Sequence, residues 1–274
     1  MIGGRTAVYA VVGWPIAHSL SPVMQNAALA AAGIDGVYVA LPVAPERVVE
    51  ALRGAHALGL RGLNVTVPHK VAAVEACIRL DGSAMACGAV NTLVRTESGW
   101  SGHNTDAPAL RSLLTAAGIG PGARVLLLGA GGAARAALWA ASALGTDVVI
   151  TARRDDAATA LRDEVGGRVH AISWDAVVEE ARAADCIVNA TSAGLAGKGE
   201  LPPIAFRAGQ VACDFVYGDT PFSRAARAAG ARLVTGEEIL VRQGELGFEL
   251  WHGRSAPPRA MADALATASG ARTT

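Results

Sequence analysis

Lys70 ends the stretch Gly62-Leu63-Asn64-Val65-Thr66-Val67-Pro68-His69-Lys70, in which a short apolar run meets a proline and a lysine follows just beyond. Val65 and Val67 alternate with Asn64 and Thr66, so a strand here turns both polar side chains to one face and both valines to the other. Pro68 stops the ladder and biases Val67 toward extended backbone, which puts a turn at this point and predicts a helix from Lys70 over residues 71–75. An ammonium held partly desolvated on such a corner, beside two polar groups, is suited to proton transfer. The alternative is a solvated lysine at a helix start, the ordinary habit of this residue.

Two other places carry candidate chemistry of the same kind. Trp14-Pro15-Ile16-Ala17-His18-Ser19-Leu20-Ser21-Pro22 is a loop with two serines and two prolines. Ser21 can cap a helix whose first position is Pro22 and which Gly33 closes. Hydroxyls and free amides at the positive end of that helix would equally hold a carboxylate or phosphate, and capping by Ser21 leaves Ser19 unexplained. In Asn104-Thr105-Asp106 a strand gives way to a helix through Leu110, Leu113 and Leu114. Asp106 is therefore either a cap or a carboxylate available to chemistry.

A third pattern points to a nucleotide. Arg124-Val125-Leu126-Leu127-Leu128-Gly129-Ala130-Gly131-Gly132-Ala133-Ala134 is an apolar strand that enters a glycine turn and then an alanine-rich helix, with another strand over residues 147–152. This is the G-x-G-x-x-A fingerprint in its β-α-β context: Gly129 for the tight turn, Gly131 for close approach of a pyrophosphate, Ala134 for helix–strand packing. The second strand ends in Thr151-Ala152-Arg153-Arg154. An NAD site places an acid there for the ribose hydroxyl, whereas arginine suits the 2′-phosphate of NADP. Asp155 and Asp156 follow at once, as caps of the next helix.

The elements that must position these groups alternate. Strands are predicted over residues 7–13, 37–43 and 60–67, with helices over 23–32 and 45–57 between them, a β-α-β-α-β run. Residues 88–95 and 100–106 read as a hairpin turned by Glu97-Ser98-Gly99. Beyond the glycine-rich boundary at 117–122 the alternation continues through strands at 169–172, 186–190 and 211–216. Thr191 and Tyr217 then lie at the carboxyl ends of strands, the rim where open α/β sheets bind ligands. Gly236 begins a long helix over 237–251, and a second helix runs to 268 after Pro257-Pro258. The expected fold class is α/β with two domains.

Composition narrows the partners. Just over half of the 274 residues are hydrophobic, enough for a substantial core, and 24 basic residues balance 24 acidic ones for a net charge of zero. That balance removes the electrostatic footprint of a general nucleic-acid binder and favours a small-molecule partner. Cys77, Cys87, Cys186 and Cys213 are widely spaced with no zinc-type companions, so no metal site is expected and the thiols read as buried in a reducing compartment. With no basic-then-apolar leader at the start and no long apolar run, a cytoplasmic protein without membrane attachment is expected.

Taken together, these motifs resemble the shikimate dehydrogenase family from about Val11 to Trp251. The resemblance rests on the Gly13-Trp14-Pro15 to Ser21-Pro22 loop, Asn64 to Lys70, Gly88-Ala89-Val90-Asn91-Thr92, Asn104-Thr105-Asp106, the glycine turn, Asn189-Ala190-Thr191-Ser192 and Leu240-Val241-Arg242-Gln243. It implies reversible NADPH-dependent reduction of 3-dehydroshikimate, with Lys70 as the proton-transfer residue paired with Asp106. It further implies substrate contacts from Ser19, Ser21, Asn64, Thr66, Asn91, Tyr217 and Gln243. NADP would be held by Gly129, Ala130, Gly131, Gly132, Ala133, Arg153, Arg154, Thr191, Phe215 and Gly236. The implied domains are residues 1–105 with 237–274 for substrate and 106–236 of Rossmann type for NADP, in a monomer or homodimer. A quinate or aminoshikimate dehydrogenase and a non-catalytic NADPH-binding sensor are the alternatives. The chain departs from the family's pattern at Gln25, usually histidine and expected here to matter little. It departs also at Ala107, Pro108 and Ala109 after the aspartate, at Ala152 and Ala157 around the arginines, and at Glu238 and Ile239, usually glycine and methionine.

Overall fold

The computed structural model describes residues 2–194 and 199–270. Two compact units divide the chain, Met1–Thr105 with Leu240–Thr274, and Asp106–Ile239. In chain order the first contains β1 (Ala7–Gly13), α1 (Ser21–Ala31), β2 (Gly36–Pro42), α2 (Val48–Ala57), β3 (Gly62–Val65), β4 (Cys77–Leu80), α3 (Gly82–Cys87), β5 (Thr92–Arg95) and β6 (Trp100–His103). The second holds α4 (Asp106–Ala116), β7 (Arg124–Leu128), α5 (Gly132–Ala143), β8 (Asp147–Thr151), α6 (Asp155–Val165), β9 (Val169–Ala171), α7 (Val177–Ala183), β10 (Cys186–Asn189), β11 (Val211–Asp214), α8 (Pro221–Ala228) and β12 (Arg232–Val234). Helix α9 (Gly236–His252) contains the boundary between units, and α10 (Ala260–Gly270) belongs to the first. Among the described residues no helix is long and apolar enough to cross a membrane.

The first unit is built on a mixed sheet of order β2-β1-β3-β5-β6-β4. β1 runs parallel to β2 and β3, and β5 enters antiparallel as one arm of the predicted hairpin with β6. One face packs Ala10, Val12, Leu52, Leu63, Val65, Leu93 and Trp100 into a core. The indole of Trp100 keeps its polar edge satisfied by donating to the Leu52 carbonyl at 2.7 Å, which ties α2 to the sheet. The end of α9 is seated equally closely. Trp251 donates to the Leu93 carbonyl, and a Cβ on Gly62 would lie 2.3 Å from the same indole nitrogen, so only glycine fits at the start of β3.

The second unit is a parallel sheet of order β12-β11-β10-β7-β8-β9. This is the doubly wound order, with the reversal between β7 and β10. Both faces are covered, so the strands need apolar residues on both sides: Val125 and Leu127 pack toward α4, α5 and α6, and Leu126 and Leu128 toward α7 and α8. Register places Leu128 beside Thr151 and Asn189, and Asn189 beside Asp214, so four strands end level at one carboxyl edge.

Several local expectations change. β3 ends at Val65, which leaves Val67 in the following turn and 58% exposed instead of packed. The helix after Lys70 is a short 3-10 helix over Ala72–Ala76, because the chain must re-enter the sheet as β4 at Cys77 and has no room for α-helical turns. β4, α3, α8 and β12 are elements that the sequence pattern did not reveal, and the strand predicted over 88–95 is only Thr92–Arg95. Gly88 is the left-handed cap that ends α3. Cys87, Cys186 and Cys213 are buried as expected, whereas Cys77 is only half-buried.

Candidate functional site

In the first unit three of the predicted substrate residues, Asn64, Asn91 and Gln243, share a buried polar cluster. Asn64 leaves β3 with its amide donating to the Asn91 carbonyl at 3.1 Å and to Thr92 Oγ1 at 3.0 Å, and its Oδ1 accepts from the Tyr38 hydroxyl at 2.7 Å. Asn91 Oδ1 accepts from the Thr105 amide at 2.7 Å and from Thr92 Oγ1, while its own amide donates to Thr105 Oγ1 at 3.0 Å. Thr105 Oγ1 in turn reaches Gln243 Oε1 at 3.5 Å, and Gln243 is held from α9 by donating to the Leu240 carbonyl. Asn64, Asn91, Thr92, Thr105 and Gln243 are all buried. Buried amides and hydroxyls persist when mutually satisfied, and such a network fixes side-chain orientation.

Lys70 sits on the turn that this network borders. Its carbonyl accepts from the amide of Val90, one residue before Asn91. The turn is pinned on its other side by His69, only 1% exposed, whose Nε2 pairs with the Val43 carbonyl at 2.8 Å. Burial lowers the His69 imidazole from its ordinary value, against the opposing pull of that carbonyl, so the ring is the neutral donor. The Trp14 amide donates to the Val67 carbonyl and joins the serine loop to the lysine turn. Helix α1 begins at Ser21 itself, so Ser21 is not the cap. Its amide donates to Ser19 Oγ at 3.3 Å, which gives Ser19 the helix-opening role and leaves the Ser21 hydroxyl without it. Gln25 is 1% exposed and donates to the Gly244 carbonyl at 3.1 Å, next to Gln243. It therefore couples α1 to α9, a correction to the minor role expected of it.

The second unit presents the nucleotide candidates along its carboxyl edge. Gly129 has φ of +116°, and a Cβ there would lie 3.0 Å from the Ala190 carbonyl oxygen. Glycine is thus required twice over, by conformation and by space. Gly131 caps α5 with no side-chain bond, and an added Cβ would meet nothing within 4 Å; the first turn of α5 carries no acidic residue. Unpaired amides at an open, dipole-positive helix start fit a pyrophosphate. Thr151 Oγ1 is buried at the end of β8 with no hydrogen-bond partner among the described residues. Arg153 and Arg154 follow, exposed, with no ion-pair partner among the described residues, and Asp155 and Asp156 lie inside the first turn of α6 instead of capping it. The residues present fit a dinucleotide with a 2′-phosphate.

Asp106 opens α4 and is 5% exposed. Burial, then the charges of Asp106 and Glu237, push the Tyr217 phenol well above the ordinary range, so Tyr217 is a neutral hydroxyl. Gly236 packs against this loop: a Cβ there would lie 2.8 Å from the Val216 carbonyl oxygen. Glu238 and Ile239 have structural reasons for their identities. Glu238 accepts from the Thr235 amide and donates its own to Thr235 Oγ1, a reciprocal cap at the start of α9, and Ile239 is buried in the core. Tyr38, Thr92 and Thr105 hold predicted residues in place, His69 holds the Lys70 turn, and Asp214 braces the loops after β10 and β11; none of the five was among the predicted site residues. Asp214 alone left a sequence signal, an acid ending an apolar strand.

Comparison with known proteins covers the chain in three parts. Residues 11–93 match the model of the shikimate dehydrogenase substrate binding domain, 103–199 that of the alanine dehydrogenase/PNT C-terminal domain, and 236–266 that of the shikimate 5′-dehydrogenase C-terminal domain. A shikimate dehydrogenase (NADP(+)) of Anaeromyxobacter sp. (strain K) is 60% identical, over 99% of this chain and 100% of its own. The crystal structure of shikimate dehydrogenase from Aquifex aeolicus superposes with a TM-score of 0.88 at 34% identity, covering 97% of this chain and 99% of that one. The Thermus thermophilus shikimate 5-dehydrogenase in complex with NADP(H) and shikimate gives a TM-score of 0.83 at 37% identity, covering 94% and 98%.

Proposed function

The chain belongs to the shikimate dehydrogenase family, and on that premise we propose that it reversibly reduces 3-dehydroshikimate to shikimate with NADPH. The observation that carries this reading is the Asn64–Asn91–Thr105–Gln243 cluster bordering the Lys70 turn. It is a rigid array of neutral hydrogen-bonding groups beside the turn that carries Lys70, suited to a small polyhydroxylated acid.

NADPH supplies the hydride when bound, and the protein's part is orientation and a proton. Gly129, Ala130, Gly131, Gly132 and Ala133 cradle the pyrophosphate with backbone amides, Arg153 and Arg154 take the 2′-phosphate, and Thr191, Phe215 and Gly236 complete the dinucleotide side. Ser19 and Ser21 hold the substrate carboxylate at the positive end of α1. Thr66, Asn91, Tyr217 and Gln243 bind the ring hydroxyls. Asn64, with both amide hydrogens directed into the protein, acts on the substrate by placing Asn91. Lys70 gives its proton to the alkoxide that forms at the carbonyl carbon, or takes the hydroxyl proton in the reverse direction, and Asp106 orients the ammonium. The first unit is then the substrate unit and the second the NADP unit, in a cytoplasmic monomer or homodimer whose four thiols suit a reducing compartment.

Purified protein mixed with NADPH and 3-dehydroshikimate should consume the nicotinamide absorbance and yield shikimate. Turnover confined to quinate or an amino-substituted analogue would assign a different substrate, and binding of NADPH without turnover of any of these acids would reject the enzyme reading.

A further inference from the structure

Asp214 is 1% exposed at the end of β11, yet the chemistry above gives it no role. Its carboxylate is nonetheless the meeting point of two loops. Oδ1 accepts from Asn189 Nδ2 at 2.9 Å and from the Val216 amide at 3.0 Å, and Oδ2 accepts from Thr220 Oγ1 at 2.6 Å. On one side, Asn189 Oδ1 accepts from both the amide of Thr191 at 3.1 Å and its hydroxyl at 2.7 Å, so the loop after β10 hangs from Asn189. On the other, Val216 and Thr220 bracket Tyr217, so the loop after β11 is gripped at both of its ends. The two loops also touch, since a Cβ on Gly194 would lie 3.3 Å from Thr220 Cγ2.

We propose that Asp214 is a positioning residue that sets the cofactor-side loop at Thr191 and the substrate-side loop at Tyr217 from one buried carboxylate. A buried carboxylate is costly unless its lone pairs are filled, and here three donors fill them from two chain segments, the end of β10 and the loop after β11. An asparagine or a leucine at this place would complete the β11 core as well, but neither accepts on both oxygens. What the carboxylate adds is a common origin for both loops. A displacement of one loop is then transmitted to the other through Asn189 and Thr220, and the two binding steps are coupled within this unit. This rests on the assignment of Thr191 to NADP and Tyr217 to the substrate.

The test is D214N, which keeps the shape of the side chain but turns one acceptor into a donor, compared with T220V, which removes the donor to Oδ2 together with the acceptor of the Ser223 amide at the start of α8. D214N should raise KM for NADPH and for 3-dehydroshikimate together, each by about five- to twentyfold, with kcat changed less than about threefold, as expected when orientation in both ground-state complexes is loosened. T220V should raise both in the same direction by a smaller factor, and serves alone if D214N does not fold. Equal KM values to wild type in either variant, or a rise for one ligand only, would overturn the shared anchor. NADPH affinity of the free protein, read by quenching of its own tryptophan emission, is measured in parallel. If wild type binds NADPH but turns over no 3-dehydroshikimate, the functional assignment fails, while weaker NADPH binding by D214N would still uphold the anchor on the cofactor side and unchanged binding would refute it.

Discussion

The phenol of Tyr38 donates to Oδ1 of Asn64 at 2.7 Å, deep in the first unit where Tyr38 is 1% exposed. Asn64 spends both amide hydrogens on the Asn91 carbonyl and on Thr92, so the phenol fixes which way round the whole amide stands. Y38F removes that donor and little volume. It should lower unfolding free energy by about 1–2 kcal/mol in urea titrations. KM for 3-dehydroshikimate should rise while KM for NADPH stays put. An unchanged substrate KM would show that the orientation of Asn64 is set without the phenol.

Ser19 and Ser21 should separate in mutagenesis because only one of them opens α1. S19A removes the acceptor of the Ser21 amide and should cost about 1 kcal/mol of stability, in the manner of a lost helix cap. S21A, at a position where the hydroxyl caps nothing, should stay within about 0.5 kcal/mol of wild type yet raise the substrate KM. Thermal denaturation of the two variants beside their KM values decides this. The reverse pattern of stabilities would restore Ser21 as the cap.

Arg153 is exposed and follows β8, the position proposed above to read the 2′-phosphate. R153A should raise KM for NADPH by about tenfold or more and leave KM for NADH within about twofold, because only the former loses a charge-assisted contact. Parallel increases for both nucleotides would mean that the guanidinium contributes something other than 2′-phosphate recognition.

His69 and His252 predict the direction of the stability profile in mild acid. Burial holds both imidazoles below their ordinary value, with Arg254 adding to the effect at His252. The native state therefore binds fewer protons than the unfolded chain once pH drops below about 6.5, so their contribution is fully present above that value and is lost as pH falls through the folded values. Urea midpoints should decrease between about pH 7 and about pH 5.5, and less steeply in an H69Q/H252F double variant. Gln keeps a donor for Val43, and Phe keeps the ring packed against Phe248 and Tyr9. Equal slopes in the two proteins would contradict this assignment.

The parts of this fold that were legible in sequence are those whose physics is local. β7, β8, β10 and β11 are buried on both faces and so read as unbroken apolar runs, and the Gly129 turn is dictated by a positive φ that excludes other residues. β4 is an edge strand with its middle residues exposed and so has no clean alternation, and α8 is only eight residues long, so its one-sided pattern spans barely two turns. The site divides in the same way. Lys70, Asp106, Ser19 and the arginines advertise themselves by type, whereas Tyr38, Gln25 and Asp214 matter through partners that pairing across the sheet or packing against α9 brings close. Gln25 meets a carbonyl 219 positions away in sequence, a relation no local pattern encodes.

The most direct test is the turnover of K70A. With Lys70 supplying the proton at the reacting oxygen, kcat for 3-dehydroshikimate reduction should fall by about 10²–10⁴ while KM for either ligand changes far less and the protein unfolds at its usual temperature. A K70A protein that folds normally and reduces 3-dehydroshikimate at a rate within about threefold of wild type would contradict the assignment of proton transfer to this residue.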